Sequence, residues 1–287
     1  YSKENREVQK VKKEEMREPQ LGVAVGKRGI GKTYTTLQIM QDYITGFQGT
    51  CKPRRVLIMD VNDEFSNIKA LKITDVKLFS MHPKVEARRV RPFNPDGSKM
   101  TLEDICQALY FILENFKGGL LLIEDINKYL THHFPKDVVG AICTNRHSDL
   151  DIIMHYQAIG KVPTTVWENA NWVRFHKNNQ SVDRHEKKFE DKYEMLKIAE
   201  CMVDFQYENG NERFFCYVDV EWGKLRGKIT KDMAIKSVED YMTKNYSKVV
   251  TPETRRLDLH GAKVHKNAAE ASMYVKKRLL QKYFAKN

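Results

Sequence analysis

The sequence predicts an α/β fold, a mainly parallel sheet flanked on both faces by helices. Three observations carry this. Predominantly apolar runs of strand length recur, at residues 21–25, 55–60, 120–123, 150–154 and 172–175. Such runs, lacking polar alternation, suit strands buried on both faces. Segments with helical spacing separate them, and parallel neighbours need crossovers of that kind. Third, a glycine-rich turn, GKRGIGKT, joins the first run to the first helical segment.

The elements follow in order. Residues 21–25 form a strand that ends at the glycine-rich turn. Residues 33–44 have Leu37, Met40 and Ile44 at helical spacing. Residues 55–60, RVLIMD, read as a buried strand, and residues 76–79 as a shorter one. Residues 101–116 are the clearest helix. Thr101 and Asp104 suit a capping box, and Leu102, Ile105, Leu109, Ile112 and Phe116 line one face. Gly118 and Gly119 stop it. Strands follow at 120–123, 150–154 and 172–175. Residues 182–199 read as a charged helix, 213–222 as a more exposed strand and 232–244 as a helix. Residues 251–265 lack periodicity and read as a linker. Residues 268–284 can form a basic amphipathic helix. The expected organisation is an N-terminal extension over 1–20, a nucleotide-binding domain over 21–245 and a basic C-terminal tail over 246–287.

Composition excludes several classes. The 287 residues contain no run of eighteen apolar residues, so no membrane-spanning helix is expected. Residues 1–20 mix charges and lack the apolar core of a secretory signal. Five cysteines, with no CxxC pair, argue against a disulfide framework or a zinc site. The formal net charge of +11 makes a polyanionic partner plausible. That charge is uneven: residues 244–287 hold eleven basic and three acidic side chains.

GKRGIGKT spans Gly26 to Thr33 and fits GxxxxGK[ST]. Glycines let backbone N–H groups converge on phosphate oxygens without side-chain clashes. The expected ATP-binding set is Gly26, Lys27, Arg28, Gly29, Ile30, Gly31, Lys32 and Thr33, with Tyr34 next. Lys32 places a cation near the β- and γ-phosphates, and the Thr33 hydroxyl ligates Mg²⁺. The helix that starts here points its positive end at the phosphates.

A loop of this kind needs a second strand that delivers carboxylates to the metal and the attacking water. GLLLIED, Gly119 to Asp125, fits. Glu124 would hold Mg²⁺ through water, and Asp125 would orient or deprotonate the nucleophilic water. The usual order in hydrolytic motors is Asp then Glu, so the division of roles between the two stays open.

VLIMDVNDEF, Val56 to Phe65, places Asp60 at a strand end with Glu64-Phe65 shortly after it. With the glycine-rich loop and the acidic strand, this resembles the FtsK–HerA superfamily of DNA-pumping P-loop ATPases. The resemblance spans about residues 21–180. It implies a RecA-like core with a C-terminal extension, and a loop at Asp60 and Glu64 beside the nucleotide. It implies that Gln157, at the end of the strand in TNRHSDLDIIMHYQ, senses the γ-phosphate. It also implies that Arg146 reaches into a neighbouring subunit's site, where a guanidinium stabilises phosphoryl charge.

The resemblance further implies a homo-oligomeric ring, hexamer or pentamer, that moves double-stranded DNA and hydrolyses ATP with Mg²⁺. A viral genome-packaging motor of the host or bacterial cytoplasm, or one associated with virions, is the leading expectation. The alternatives are a conjugation-type or phage-assembly DNA pump, a P-loop kinase or switch, and an ATP-binding assembly module. Candidate DNA contacts are Lys84, Arg88, Arg89 and Arg91, in a stretch read as a loop through Pro92, Pro95 and Asp96-Gly97, together with Lys128. The tail helix, with Lys276, Lys277 and Arg278, is a further DNA candidate, and could equally dock on an acidic partner such as a capsid portal, or on an anionic membrane.

Overall fold

The computed structural model describes residues 18–49, 51–125, 136–143 and 145–285. Its strands form an eight-stranded mixed sheet, ordered β3-β2-β4-β5-β1-β6-β7-β8. These are β1 Leu21–Val25, β2 Arg55–Met59, β3 Ala87–Val90, β4 Gly119–Ile123, β5 Asp151–Tyr156, β6 Trp172–His176, β7 Phe215–Asp219 and β8 Lys224–Arg226. The longer helices are α1 Lys32–Gly49, α2 Val76–Met81, α3 Leu102–Asn115, α4 Lys136–Cys143, α5 Thr164–Asn169, α6 Tyr193–Glu208, α7 Lys231–Lys244 and α8 Ala268–Phe284. Sheet and flanking helices make a P-loop NTPase fold, as the strand–turn–helix pattern predicts. Among the described residues, no helix is long and apolar enough to cross a membrane.

The chain divides into two compact units. The first holds the described residues of 18–21, 40–124 and 136–153. Here β3, β2 and β4 pair in parallel, with Val56, Leu57 and Ile58 fully buried. α3 begins at Thr101, whose side chain accepts from Asp104 N at 3.2 Å while Asp104 accepts from Thr101 N at 2.8 Å. This is the expected capping box. Ile105, Leu109, Ile112 and Phe116 are buried as predicted, but Leu102 is exposed, because it opens the helix ahead of the first turn that meets the core.

Two sequence expectations are corrected in this unit. Residues 76–79 lie in α2, not a strand. Val76 and Phe79 are buried three positions apart, a helical spacing that so short an apolar run cannot distinguish from a strand. The stretch read as a loop at 82–99 contains β3, whose sequence ARRV hides an edge strand behind two arginines.

The second unit holds the described residues of 22–39, 125 and 154–285. β1 pairs with β6 in parallel, and β7 and β8 extend it antiparallel. Gly22 lies opposite Trp172, and a Cβ at Gly22 would sit 2.0 Å from the indole ring. β7 alternates as predicted, burying Cys216 and Val218. The tail helix α8 folds at the expected residues. It buries Ala271, Val275, Leu279 and Tyr283, one every four residues, and packs on α7. Lys276 Nζ bonds Glu239 at 2.5 Å and Lys282 Nζ bonds Glu194 at 3.0 Å. Part of the tail's positive charge is thus matched within this unit.

Candidate nucleotide-binding site

The site lies where β1 runs into α1. Gly26 has φ +155°, and a Cβ there would come within 2.7 Å of the His176 Cβ. Only glycine brings the loop this close to the end of β6. Gly26 N donates to Tyr156 O at 3.2 Å and Lys27 N to Lys177 O at 2.8 Å. The loop's entrance is thereby tied to the ends of β5 and β6. Gly29 and Gly31, at φ +74° and +90°, curl the chain before α1 begins at Lys32.

The lysine closes the loop. Lys32 is buried, and its Nζ donates to Gly26 O at 2.6 Å and to Lys27 O at 2.9 Å. The N–H groups of Gly29, Ile30 and Gly31 have no hydrogen-bond partner among the described residues. A curled run of N–H groups, an enclosed ammonium and a helix N-terminus together fit a polyphosphate. The Thr33 hydroxyl supplies an oxygen of the kind Mg²⁺ takes. No group of three or more potential metal-ligating side chains occurs among the described residues. Arg28 and Tyr34 are exposed.

A buried polar layer supports α1. Arg174 on β6 is fully buried, and one of its terminal nitrogens donates to Lys32 O at 3.0 Å and to Thr36 Oγ1 at 2.5 Å. His155 Nε2 lies 2.8 Å from the same hydroxyl. His176, also fully buried, packs against Phe215, with ring centroids 4.9 Å apart and planes tilted by 38°. Burial first, then the charges of Arg174 and Lys32, push its pKa down to about 2. From the sequence, residues 172–175 read as a strand, with no role for Arg174. The only available signal was a lone arginine inside an otherwise apolar run.

Asp125 is buried and adopts φ +46°, the left-handed region that Asp tolerates better than most residues. Gln157 Nε2 donates to Asp125 Oδ2 at 3.0 Å. The predicted sensor and the predicted water-orienting acid are therefore joined. On the loop's other side, Lys27 Nζ donates to Tyr207 OH at 2.6 Å and sits 4.1 Å from the centre of that ring.

Glu124, Arg146 and Asp60 belong to the first unit. Glu124 is buried, and its N–H donates to Met59 O at 3.4 Å. Arg146 lies in the short 3-10 turn Asn145–Ser148 that precedes β5. Asp60 is fully buried and accepts from Glu64 N at 2.9 Å, from Phe65 N at 3.1 Å and from Arg89 at 2.7 Å. It thus organises the turn after β2.

Most of the candidate DNA-binding cations are engaged by acids. Arg89 is buried against Asp60 and Asp63, so it is withdrawn from any phosphate at the surface. Arg91 grips Asp63 through two bonds, at 3.0 and 2.9 Å. These bonds from Arg91 hold the Asp63 carboxyl below the usual carboxylate range, with Arg89 adding to them. Arg88 and Lys84 both bond Glu86, the latter at 2.9 Å. Lys84 remains largely exposed. Lys128 lies outside the described residues.

No family model matches the chain. A search of curated proteins also finds no match. Among solved structures, the chain is similar to the genome packaging NTPase B204 from Sulfolobus turreted icosahedral virus 2 in complex with AMPPCP. That match has 15% identity, a TM-score of 0.49, and covers 72% of this chain and 95% of that one. B204 from Sulfolobus turreted icosahedral virus, described as a DNA-packaging ATPase, matches at 16% identity and a TM-score of 0.48, covering 73% and 97%. The N-terminal domain of zonular occludens toxin from Neisseria meningitidis matches at 14% identity and a TM-score of 0.36, covering 57% and 79%.

Proposed function

We propose that this protein is an ATP hydrolase that works as a ring-forming nucleic-acid translocase, and specifically as a viral DNA-packaging motor. The observation that carries the hydrolase is the closed glycine-rich loop, with Lys32 inside it, in the same compact unit as the linked pair Asp125 and Gln157. The motor reading rests on the motif order, with Arg146 ahead of the strand that ends at Gln157.

When bound, Mg²⁺–ATP supplies a phosphoanhydride whose terminal phosphate is charge-neutralised for attack. The loop N–H groups and Lys32 bind and orient the phosphate chain. Thr33 and Glu124 would hold the Mg²⁺, Glu124 through water. Asp125 orients the attacking water and accepts its proton. Gln157 holds the Asp125 carboxylate in place and reports the state of the terminal phosphate. Arg146 of one subunit completes the site of the next, which couples turnover to subunit position. Lys84 and the exposed cations of the tail are the remaining candidates for the DNA track and a docking partner.

The test is ATPase rate against protein concentration, with and without double-stranded DNA. A motor turns over faster once rings form and DNA is added. Rates per chain that ignore both concentration and DNA would instead indicate a P-loop kinase or switch. Mixing Arg146→Ala with Lys32→Ala subunits should restore part of the activity through mixed sites. No restoration, with Arg146→Ala active alone, removes the trans-acting role.

A further inference from the structure

The loop between α6 and β7 lies far from the motif-bearing residues in sequence and against the glycine-rich loop in space. Asn209 N bonds Phe205 O at 3.1 Å, Asn211 N bonds Gln206 O at 2.9 Å and Phe214 N bonds Asn211 O at 3.1 Å. Gly210, at φ +85°, makes the reversal that these bonds close. Three anchors seat the segment. Tyr207 takes the Lys27 ammonium, Phe214 is buried, and Phe215 packs against His176, which abuts Gly26.

Between these anchors stands Arg213. A Cβ built on Gly31 would lie 3.8 Å from both Cγ and Cδ of Arg213. The arginine's stem therefore passes directly beside the last glycine of the loop. Its side chain is exposed and makes no hydrogen bond or ion pair among the described residues. This contrasts with Lys27, Lys32, Arg89, Arg91 and Arg174, all of which are engaged. A planar guanidinium with five donors binds phosphate oxygens two at a time, and it stays charged at any physiological pH.

We propose that Arg213 is a phosphate-binding residue of the nucleotide site, acting in cis, with its guanidinium closing over the phosphate chain held by the glycine-rich loop. The inference rests on the nucleotide-binding reading above. It makes the α6–β7 segment part of the site, held at one end by Tyr207 on Lys27 and at the other by Phe215 on His176.

Titration calorimetry on the full chain with Mg²⁺ tests it, using ATP and inorganic triphosphate as separate probes. Wild type, Lys32→Ala, Arg213→Ala and Arg213→Lys are compared. Arg213→Ala should weaken both probes by about tenfold or more, the worth of a hydrogen-bonded charge contact. Arg213→Lys should recover part of that loss, because an ammonium keeps the charge but not the fork. The melting temperature of the free protein should not move, since the side chain is exposed. Wild-type affinity of Arg213→Ala for both probes, with Lys32→Ala binding neither, overturns the assignment and leaves the nucleotide site standing. Loss of ATP affinity with unchanged triphosphate affinity also overturns it, since the contact would then be to the nucleoside. If wild type and Lys32→Ala fail alike to bind either probe, the nucleotide reading itself falls.

Discussion

Gln157 donates its amide to the Asp125 carboxylate across 3.0 Å, joining the end of β5 to the end of the acidic strand segment. In the proposed mechanism, this bond gives the amide a second task. A side chain that senses a phosphate and also holds the acid can turn the loss of that phosphate into a movement of the acid. Asp125→Asn should lower kcat by about a hundredfold or more while ATP affinity stays near wild type, as expected of a group that acts on the nucleophile. Gln157→Ala should lower kcat less, and Gln157→Glu more than Gln157→Ala, because a second carboxylate would repel the first. Steady-state kinetics paired with equilibrium binding separates the two parameters. An Asp125→Asn variant with normal kcat would remove the acid from the chemistry.

Thr36 is the shared partner of Arg174 and His155 beneath α1. Thr36→Val keeps the shape and removes the hydroxyl. It should cost about 1–3 kcal/mol of stability, the price of buried polar groups losing a partner. Urea unfolding of the two proteins gives the difference. Because the same arginine bonds the Lys32 carbonyl, nucleotide affinity should fall as well.

His176 makes stability depend on pH. In the folded chain its ring stays neutral down to about 2, against an ordinary value of 6.5. Below that ordinary value the unfolded chain takes up a proton that the folded chain refuses. Stability should therefore decline as pH falls below 6.5, by up to about 1.4 kcal/mol per pH unit from this group, and should not depend on it above. His176→Phe keeps a ring against Phe215 and removes the titration. Its urea midpoint should fall less steeply than the wild-type midpoint between about pH 6.5 and pH 5. Parallel slopes would show that the ring is not buried neutral.

Asp60 and Arg89 form a buried pair in the first unit, 2.7 Å apart. Removing one partner strands the other, so Asp60→Ala should destabilise by about 3–5 kcal/mol. Replacing both, as Asp60→Ala with Arg89→Met, should recover much of that loss. Denaturant unfolding of the singles and the double completes the cycle. Equal losses in single and double would mean that the pair is not what holds this turn.

How much of this the sequence displays depends on how local each cause is. The glycine-rich loop is legible because its geometry is dictated by eight consecutive residues. The Thr101 capping box and the amphipathic stripe of α8 are legible for the same reason. The support beneath the loop is not. Thr36, His155 and Arg174 meet only through the order of the strands, and their separation in the chain carries no periodic signal. β3 is hidden because Arg88 and Arg89 look like surface charge, whereas Arg89 turns inward to acids supplied by the turn after β2. Arg213 is invisible as a site residue because nothing in its neighbourhood of sequence speaks of phosphate.

The opposition of Gly22 and Trp172 has a further consequence. With the indole occupying the place where a Cβ on the first strand would stand, Gly22 cannot gain a side chain while Trp172 remains. A relative that carries alanine or larger at the first should carry a smaller residue at the second. Such paired substitution would make these two positions a covariation marker for recruiting distant members of this lineage, in a chain whose phosphate loop is too widely shared to discriminate among them.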